Sequence, residues 1–359
     1  MTVLIFVLLI SVLVFLHELG HFFVARRSGV RVDEFGIGFP PRLFSWRRGG
    51  VVYSVNLLPL GGFVRIHGEN GEDPHDPSSF EAKRARTRAA ILGAGVAMNW
   101  LTAFVAMAIA LSIGVEASPD SVLGEWVDDP RAVVASVSVD SPAAVAGLRP
   151  GDAILSARRG AETLDGPTAD QFVAFTSAAS AKEIVLSAES PDGAPKFATV
   201  TPLFREDLGR PAIGATVLDS GYARLPIGSA IVEAGKYTVE LTAVVASSLW
   251  HLAADALRRE ADLGDLSGPV GIAVLAREAS DVGAGQLLAF AAAISVNLAV
   301  LNLLPFPALD GGRLLMIAVE KITRRKLSSK WVGWVNLAGL ALLLALMAVV
   351  TISDVAKLF

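Results

Sequence analysis

Four long uncharged runs limit how this chain can fold more than any other feature. They cover residues 1–25, 89–115, 282–309 and 331–353. Only the first run contains ionisable side chains, namely His17, Glu18 and His21. Because the hydrocarbon core of a bilayer is crossed by a helix of about 20 predominantly apolar residues, each run is long enough to span it. The sequence therefore predicts a polytopic α-helical membrane protein with four transmembrane helices.

The composition agrees with this fold class and excludes several kinds of function. Of the 359 residues, 53% are hydrophobic and only 18% are charged, which is too apolar for an ordinary soluble domain. The chain has no cysteine, so a thiolate nucleophile and a cysteine-based zinc site are excluded. No long basic run with interleaved aromatic residues occurs, so no nucleic-acid partner is expected.

Loop charges predict the orientation of the spans. Residues 26–88 hold 11 Lys and Arg against 7 Asp and Glu, whereas residues 116–220 hold 8 against 16. Positive loops stay in the cytoplasm, so the first loop and the basic loop 310–330 are predicted to be cytoplasmic. Both termini and residues 116–220 are then extracytoplasmic. The first run could instead be a signal peptide, but it lacks a basic start and a small-residue cleavage site, so retention is favoured.

The remaining segment, residues 221–281, contains a short apolar patch at 241–254 between Glu240 and Asp255. About 14 residues are too few for an ordinary span. We expect an amphipathic or interfacial helical region there, in contact with membrane lipid.

The polar residues of the first run form the motif His-Glu-x-x-His. His17 and His21 are four residues apart, so they share one face of a helix, and Glu18 is adjacent. In this motif the two imidazoles bind Zn²⁺ and the glutamate is the general base that activates water. Ionisable groups are expensive in lipid and by default mark function there, so two merely structural histidines are the less favoured alternative.

A catalytic zinc site usually has three protein ligands. His67, His75 and His251 lie in regions outside the spans, whereas Asp310 follows the third run at the depth expected for His17 and His21. Pro305 and Pro307 would end the helix, and Gly311 and Gly312 would let the backbone bend. Asp310 is the predicted third ligand, although an ordinary exposed Asp at a helix end is the alternative.

Two motifs together make the chain similar to a known family. HELGH at 17–21, N-x-x-P-x-P-x-L-D-G-G at 302–312 and a PDZ-like segment between spans two and three resemble the site-2 protease family of intramembrane zinc metalloproteases. The resemblance is strongest to the bacterial branch of the regulator of sigma-E protease. It implies that His17, His21 and Asp310 bind zinc, that Glu18 activates water, and that Asn302 positions the substrate backbone or stabilises the oxyanion.

Other positions carry further expectations. Asn297 is a candidate for a substrate-facing role, with an interhelical hydrogen bond as the equal alternative. The stretch RLFSWRRGGVVYSVNL predicts two short strands around a turn at Gly49 and Gly50. The family resemblance implies a membrane-associated β-hairpin that contacts substrate, with Gly36 and Gly38 as substrate-binding residues. The alternative is a hairpin that merely packs over the zinc site.

Residues 116–220 are predicted to form one extracytoplasmic PDZ-like α+β domain. Apolar segments that alternate with polar residues predict strands, a helix is expected near residues 168–180, and SPAAVAGLRPGDAIL at 141–155 resembles the core of a bacterial PDZ domain. Such a domain can bind a peptide as an added strand. A filter that excludes substrates with large outer domains is the slightly favoured alternative.

The resulting prediction is a zinc metalloendopeptidase of the bacterial plasma membrane, with its active site in the cytoplasmic half of the bilayer. By resemblance, its substrates are single-span anti-sigma factors or remnant signal peptides. The alternatives are a catalytically silent PDZ-bearing adaptor, which would lack a ligand or the base, and another class of membrane zincin, which would need a second metal-binding helix motif.

Overall fold

The computed structural model describes residues 2–69, 71, 73–121, 123–179, 182–191, 193–206, 208–258 and 268–356. The chain divides into two compact units. The first comprises residues 1–108, 231–278 and 288–359, and the second comprises residues 109–230 and 279–287. Each unit has its own hydrophobic core. Part of the expected interfacial region, residues 259–267, lies outside the described residues.

Nine α-helices occur in the described part of the chain. They are α1 Thr2–Arg27, α2 Ala85–Ile113, α3 Pro142–Val145, α4 Ala169–Ser177, α5 Ile227–Arg258, α6 Pro269–Val282, α7 Ala284–Leu303, α8 Asp310–Thr323 and α9 Ser329–Ala356. Within that part, four helices are long and apolar enough to cross a membrane, and they correspond to the four uncharged runs: Val3–Arg27, Ala85–Ile113, Ala284–Leu303 and Lys330–Ala356.

The helix ends differ from the predicted span limits mainly at the third run. Helix α7 ends at Leu303 rather than at residue 309. The physical reason is Pro305, since the residue that precedes a proline is driven out of the helical region of backbone space. The predicted loop 310–330 also contains a helix, α8, which begins at Asp310. The patch 241–254 lies inside the 32-residue helix α5.

Two long strands form the sheet of the first unit. Strands β1, Val32–Arg48, and β2, Val51–Ile66, are joined at Gly49 and Gly50, both of which have positive φ as a tight turn requires. They are longer than the short strands predicted: β1 starts ten residues before the predicted segment 42–57, and β2 ends nine residues after it. Both strands bend, so that residues 34–37 of β1 pair with residues 62–65 of β2 on one side and with 52–55 on the other.

The second unit contains the nine other strands of the described residues. They are β3 Val115–Ala117, β4 Val127–Val137, β5 Ala153–Arg159, β6 Glu162–Asp165, β7 Ile184–Glu189, β8 Pro195–Val200, β9 Leu203–Arg205, β10 Arg210–Ala212 and β11 Ala215–Ala223. Seven of them form one antiparallel sheet in the order β3-β11-β4-β5-β7-β8, with β6 beside β5, while β9 pairs with β10.

Helix α4 packs on this sheet and lies where the sequence predicted a helix. Its first turn is fixed by a capping box, in which the Thr168 hydroxyl accepts from the Gln171 N–H and the Gln171 side chain accepts from the Thr168 N–H. Phe172 of α4 is fully buried in the core of the unit, beside Ile154 and Leu186 of the strands. Residues 116–220 therefore form an α+β fold around one core.

Candidate active site

His17 and His21 lie on one face of α1 and are both buried. Their exposed fractions are 8% and 5%, and the rings meet edge to face with 4.8 Å between their centroids. The two Nε2 atoms are 3.1 Å apart. The i, i+4 spacing in a regular helix explains this pairing. The run that precedes them in α1 contains no charged residue.

Asp310, the first residue of α8, lies beside the two histidines. Its Oδ2 atom lies 3.2 Å from His17 Nε2 and 3.3 Å from His21 Nε2. Among the described residues, these three side chains are the one group of His, Asp and Glu whose ligand atoms converge closely enough to hold a metal ion. His17 and Asp310, which are 293 positions apart in the sequence, thus lie together; zinc binding by this group stays a prediction.

The three ligand atoms fit a tetrahedral zinc ion. With zinc–nitrogen and zinc–oxygen distances of about 2.0 to 2.2 Å, two ligands of a tetrahedron are separated by about 3.3 to 3.5 Å. The observed edges of 3.1, 3.2 and 3.3 Å form nearly that triangle. Burial raises the pKa of the Asp310 carboxyl, but interaction with the two imidazoles outweighs it and holds the pKa below its ordinary value. The carboxylate is therefore available as an anionic ligand.

The segment before Asp310 folds back over the first turn of α8. Ala308 has a left-handed backbone with φ of 73°, and its N–H donates to the Asn336 side chain of α9 at 3.2 Å. A Cβ on Gly311 would lie 2.1 Å from the Leu304 carbonyl oxygen. Gly311 and Gly312 are helical, so their expected role in bending the backbone is corrected: their lack of a side chain permits this close approach.

The orientation of His21 is set by α2. Its Nδ1 lies 2.8 Å from the Ile91 carbonyl oxygen. Because a carbonyl can only accept, Nδ1 carries a hydrogen; in the neutral imidazole that binds a metal ion, Nε2 then has its lone pair on the side of Asp310. A metal-binding histidine is usually fixed in this way by a hydrogen bond from its other ring nitrogen.

Glu18 is held by the sheet of the same unit. Its Oε2 accepts the Val64 N–H of β2 at 3.1 Å. Nearer the start of α1, the Ser11 hydroxyl donates to the Pro59 carbonyl, and Gly61 approaches Val14 closely. Strand β2 therefore packs along α1 over two turns and fixes the glutamate next to the two histidines.

The two predicted asparagines lie on α7. Asn302 is in its last turn and is partly exposed, and its side chain makes no hydrogen bond to the described residues. Asn297 donates to the Ala293 carbonyl of its own helix at 2.9 Å, which is neither a substrate contact nor the interhelical bond considered as the alternative. The geometry thus joins neither of them to the group of His17, His21 and Asp310.

Gly36 and Gly38 are packed tightly within the β1–β2 sheet. A Cβ on Gly36 would lie 2.4 Å from the Phe63 ring, and one on Gly38, which has φ of 75°, would lie 2.6 Å from the Leu58 carbonyl oxygen. Both glycines therefore have a structural reason to lack a side chain. Substrate binding there stays a prediction.

The other histidines considered as ligands lie elsewhere. His67 is buried, and its ring lies within 3.5 Å of Asp33, Asp73 and Asp76. His75 and His251 do not belong to the converging group of described residues. Asp310 therefore remains the third ligand that the geometry favours.

Three supporting positions were not singled out in the sequence: Val64, Ile91 and Gly95. The first two act through backbone atoms: every residue except proline supplies the N–H that Val64 donates, and every residue supplies the carbonyl of Ile91, so their identity carries almost no signal. Gly95 lies on α2 against the two histidines, where a Cβ would be 2.4 Å from His21 Nε2. The signal for it was the small-residue stretch GAG at 93–95, since small residues in a membrane helix permit close helix packing.

Comparisons with known proteins agree with this chemistry. The sequence model of peptidase family M50 matches residues 5–346. The chain is 34% identical to a protein of Clostridium perfringens that is provisionally named a zinc metalloprotease, over 96% of each chain. It is 29% identical to the regulator of sigma-W protease RasP of Bacillus subtilis, over 100% of this chain and 99% of the relative. A zinc metalloprotease RasP of Geobacillus kaustophilus is also 29% identical, over 99% and 97%.

The chain belongs to peptidase family M50, the site-2 protease family. It is an intramembrane zinc metalloendopeptidase, as the sequence predicted. The assignment to the regulator of sigma-E branch stays a prediction, because the named regulator among these relatives acts in the sigma-W system.

Proposed function

We propose that this M50 peptidase binds its zinc through His17, His21 and Asp310 and hydrolyses a peptide bond in or next to a transmembrane segment of another membrane protein. The observation that carries the proposal is the triangle of ligand atoms with edges of 3.1, 3.2 and 3.3 Å. It consists of residue types that bind zinc, and its two histidines are buried.

The residues around the three ligand atoms have separate roles in the reaction. When bound, zinc supplies a Lewis acid and lowers the pKa of water toward about 7. Glu18, one residue from His17 and held by the Val64 N–H, accepts a proton from the attacking water and then passes it to the amine nitrogen that leaves. Asn302 donates a hydrogen bond to the substrate carbonyl oxygen as negative charge develops there.

The substrate class follows from where the site lies in the chain. The catalytic histidines are inside a helix that is long and apolar enough to span a bilayer, so the bond that is cut must enter the membrane as well. We propose single-span anti-sigma factors as substrates, and the name of the Bacillus subtilis relative, a regulator of sigma-W protease, supports a role in sigma-factor regulation. Remnant signal peptides are the other class that we propose. Membrane lipid covers the outer faces of the spans, where large apolar side chains such as Trp334 and Leu337 are exposed.

We place the chain in the bacterial plasma membrane with both termini outside. The basic loops 26–88 and 310–330 support a cytoplasmic position for the zinc-binding end of α1. An intramembrane substrate must be unwound before a carbonyl becomes accessible, and the β1–β2 hairpin, associated with the membrane, can pair with the unwound strand. Gly36 and Gly38 would line that substrate path.

The α+β fold of residues 116–220 is proposed to be a PDZ-like domain outside the membrane. The antiparallel sheet and the helix α4 packed on it support this assignment. We favour a role as a size filter, in which the domain excludes substrates with large outer domains, over capture of a peptide strand.

The zinc content and the cleavage of a single-span reporter substrate test the proposal together. Glu18→Gln should keep the zinc stoichiometry of the wild type and lose cleavage, because it removes the base and keeps the volume and the ligands. Asp310→Ala should lose zinc as well as cleavage. Retained cleavage in Glu18→Gln would refute the mechanism, and unchanged zinc affinity in Asp310→Ala would show that the third ligand lies elsewhere.

A further inference from the structure

Helix α2 crosses α1 at the level of the two histidines with almost no room between the backbones. A Cβ on Gly20 of α1 would lie 2.4 Å from the Ala94 carbonyl oxygen of α2. A Cβ on the next residue of α2, Gly95, would lie 2.4 Å from His21 Nε2 and 2.6 Å from His17 Cε1. The backbone of α2 thus forms one wall of the group of ligand atoms.

A methyl group at position 95 could not be accommodated by a small shift. Distances below 3.0 Å between a Cβ and a ring atom require something to move. The His21 ring is held on its other side by the Ile91 carbonyl, one helical turn before Gly95 on α2. Moving the ring would break that hydrogen bond and displace Nε2 from the triangle with Asp310.

The same helix offers an internal comparison. Gly93 lies two residues before Gly95 in α2, and a Cβ there would meet nothing within 4 Å. The two glycines share the helix and the membrane depth to within about 3 Å. They therefore differ mainly in the contact with the histidine rings.

We propose that Gly95 is a positioning residue for the zinc ligands: the absence of a side chain there, together with the Ile91 carbonyl, holds His17 and His21 in the geometry that accepts the ion. This inference rests on the proposed zinc site. It makes α2 a part of the metal centre although α2 supplies no ligand.

Zinc binding of the purified full chain in detergent tests the inference with a matched pair of variants. Gly95→Ala should bind zinc at least about tenfold more weakly than the wild type, because changes to the groups that orient metal ligands typically cost 10- to 100-fold in affinity. Gly93→Ala should bind like the wild type. Both replacements have the same intrinsic effect on helix formation, which favours alanine.

Metal spectroscopy provides a readout that is independent of activity. Cobalt(II) in place of zinc should give the absorption bands of a tetrahedral site in the wild type and in Gly93→Ala, and weaker or shifted bands in Gly95→Ala. Equal zinc affinity and equal cobalt spectra in the two alanine variants would overturn the inference. If the wild type itself bound no zinc, the proposed function would fail instead, so the two failures are distinguishable.

A background without the two imidazole rings covers the case in which Gly95→Ala folds poorly. The structure attributes the conflict to the rings of both His17 and His21, so removing both rings should relieve it. Gly95→Ala should lower the melting temperature of the metal-free chain, whereas adding it to the His17→Ala, His21→Ala double variant should lower the melting temperature much less. An equal drop in both backgrounds would show that the imidazole rings are not what position 95 must avoid, and it would refute the inference.

Discussion

A buried ion-pair network at the start of α2 leads to a quantitative prediction about stability. Arg88 is 6% exposed and donates to Glu81 at 3.0 Å and to Glu320 of α8 at 2.6 Å. The two carboxylate side chains are themselves only 16% and 12% exposed. Each has another partner: Lys326 lies 2.8 Å from Glu81, and the Leu327 N–H donates to Glu320 at 3.0 Å.

The replacement Arg88→Met would remove the charge and keep most of the apolar stem. Breaking a buried ion pair by removing one partner costs about 3 to 5 kcal/mol, since the remaining charge is left without compensation. Because Glu81 and Glu320 each keep one weaker partner, we expect the lower end, about 3 kcal/mol. Glu320 lies on the helix that begins with Asp310, so zinc affinity should fall together with the free energy of unfolding.

The assay is reversible unfolding of the full chain in mixed micelles, with zinc affinity measured on the same samples. Arg86→Met is the matched control, because Arg86 is exposed on the same first turn of α2, and it should change the free energy of unfolding by less than about 0.5 kcal/mol. Replacing Glu320 by Leu in the Arg88→Met background should restore part of the loss. Equal stabilities of the Arg88→Met and Arg86→Met variants would refute the reasoning.

Two further predictions concern other buried polar groups. Lys196→Met should destabilise the second unit by about 2 to 4 kcal/mol, because Lys196 lies 2.7 Å from Asp152, whose side chain is 1% exposed. The assay is thermal unfolding of the full chain, and Lys182→Met, at an exposed position, is the control. Asn99 of α2 is 1% exposed, and neither polar atom of its side chain has a hydrogen-bond partner among the described residues, so Asn99→Leu should leave thermal stability unchanged or raise it by about 1 kcal/mol. A clear loss of stability in Asn99→Leu would indicate that the amide binds a buried water.

The parts of the fold that depend on the preference of apolar side chains for lipid over water could be predicted from the sequence. The four spans depend on runs of apolar residues, and the structure has four suitable helices at those places. The pairing of His17 with His21 depends only on helical periodicity, and it is seen directly. Asp310 was expected near the histidines from counts of residues through two spans. Such a count needs only approximate helix ends, so the six-residue error at the end of the third span did not change the expectation.

The parts that depend on close packing could not be predicted in this way. Helix α8 was missed because Gly311 and Gly312 at its start suggest a bend, whereas they are helical and allow the preceding carbonyls to approach. The contact of Gly95 with His21 arises from the crossing of two apolar helices, which leaves no periodic pattern to read. Asn297 was ambiguous because an amide in a membrane helix can bond to its own backbone as easily as to a neighbour.

The predicted catalytic residues of α1 and α8 are each fixed by an element other than their own, and this explains why so little of the supporting structure is visible in the motifs. Val64 of β2 holds Glu18, Ile91 of α2 holds His21, and Asn336 of α9 holds the segment just before Asp310. Two of these three supports donate or accept through the backbone, so substitution leaves them intact unless the backbone itself moves. Loss of ligand geometry is therefore expected mainly from changes that push elements apart, such as a methyl group at Gly95, and much less from changes in the side chains of Val64 or Ile91.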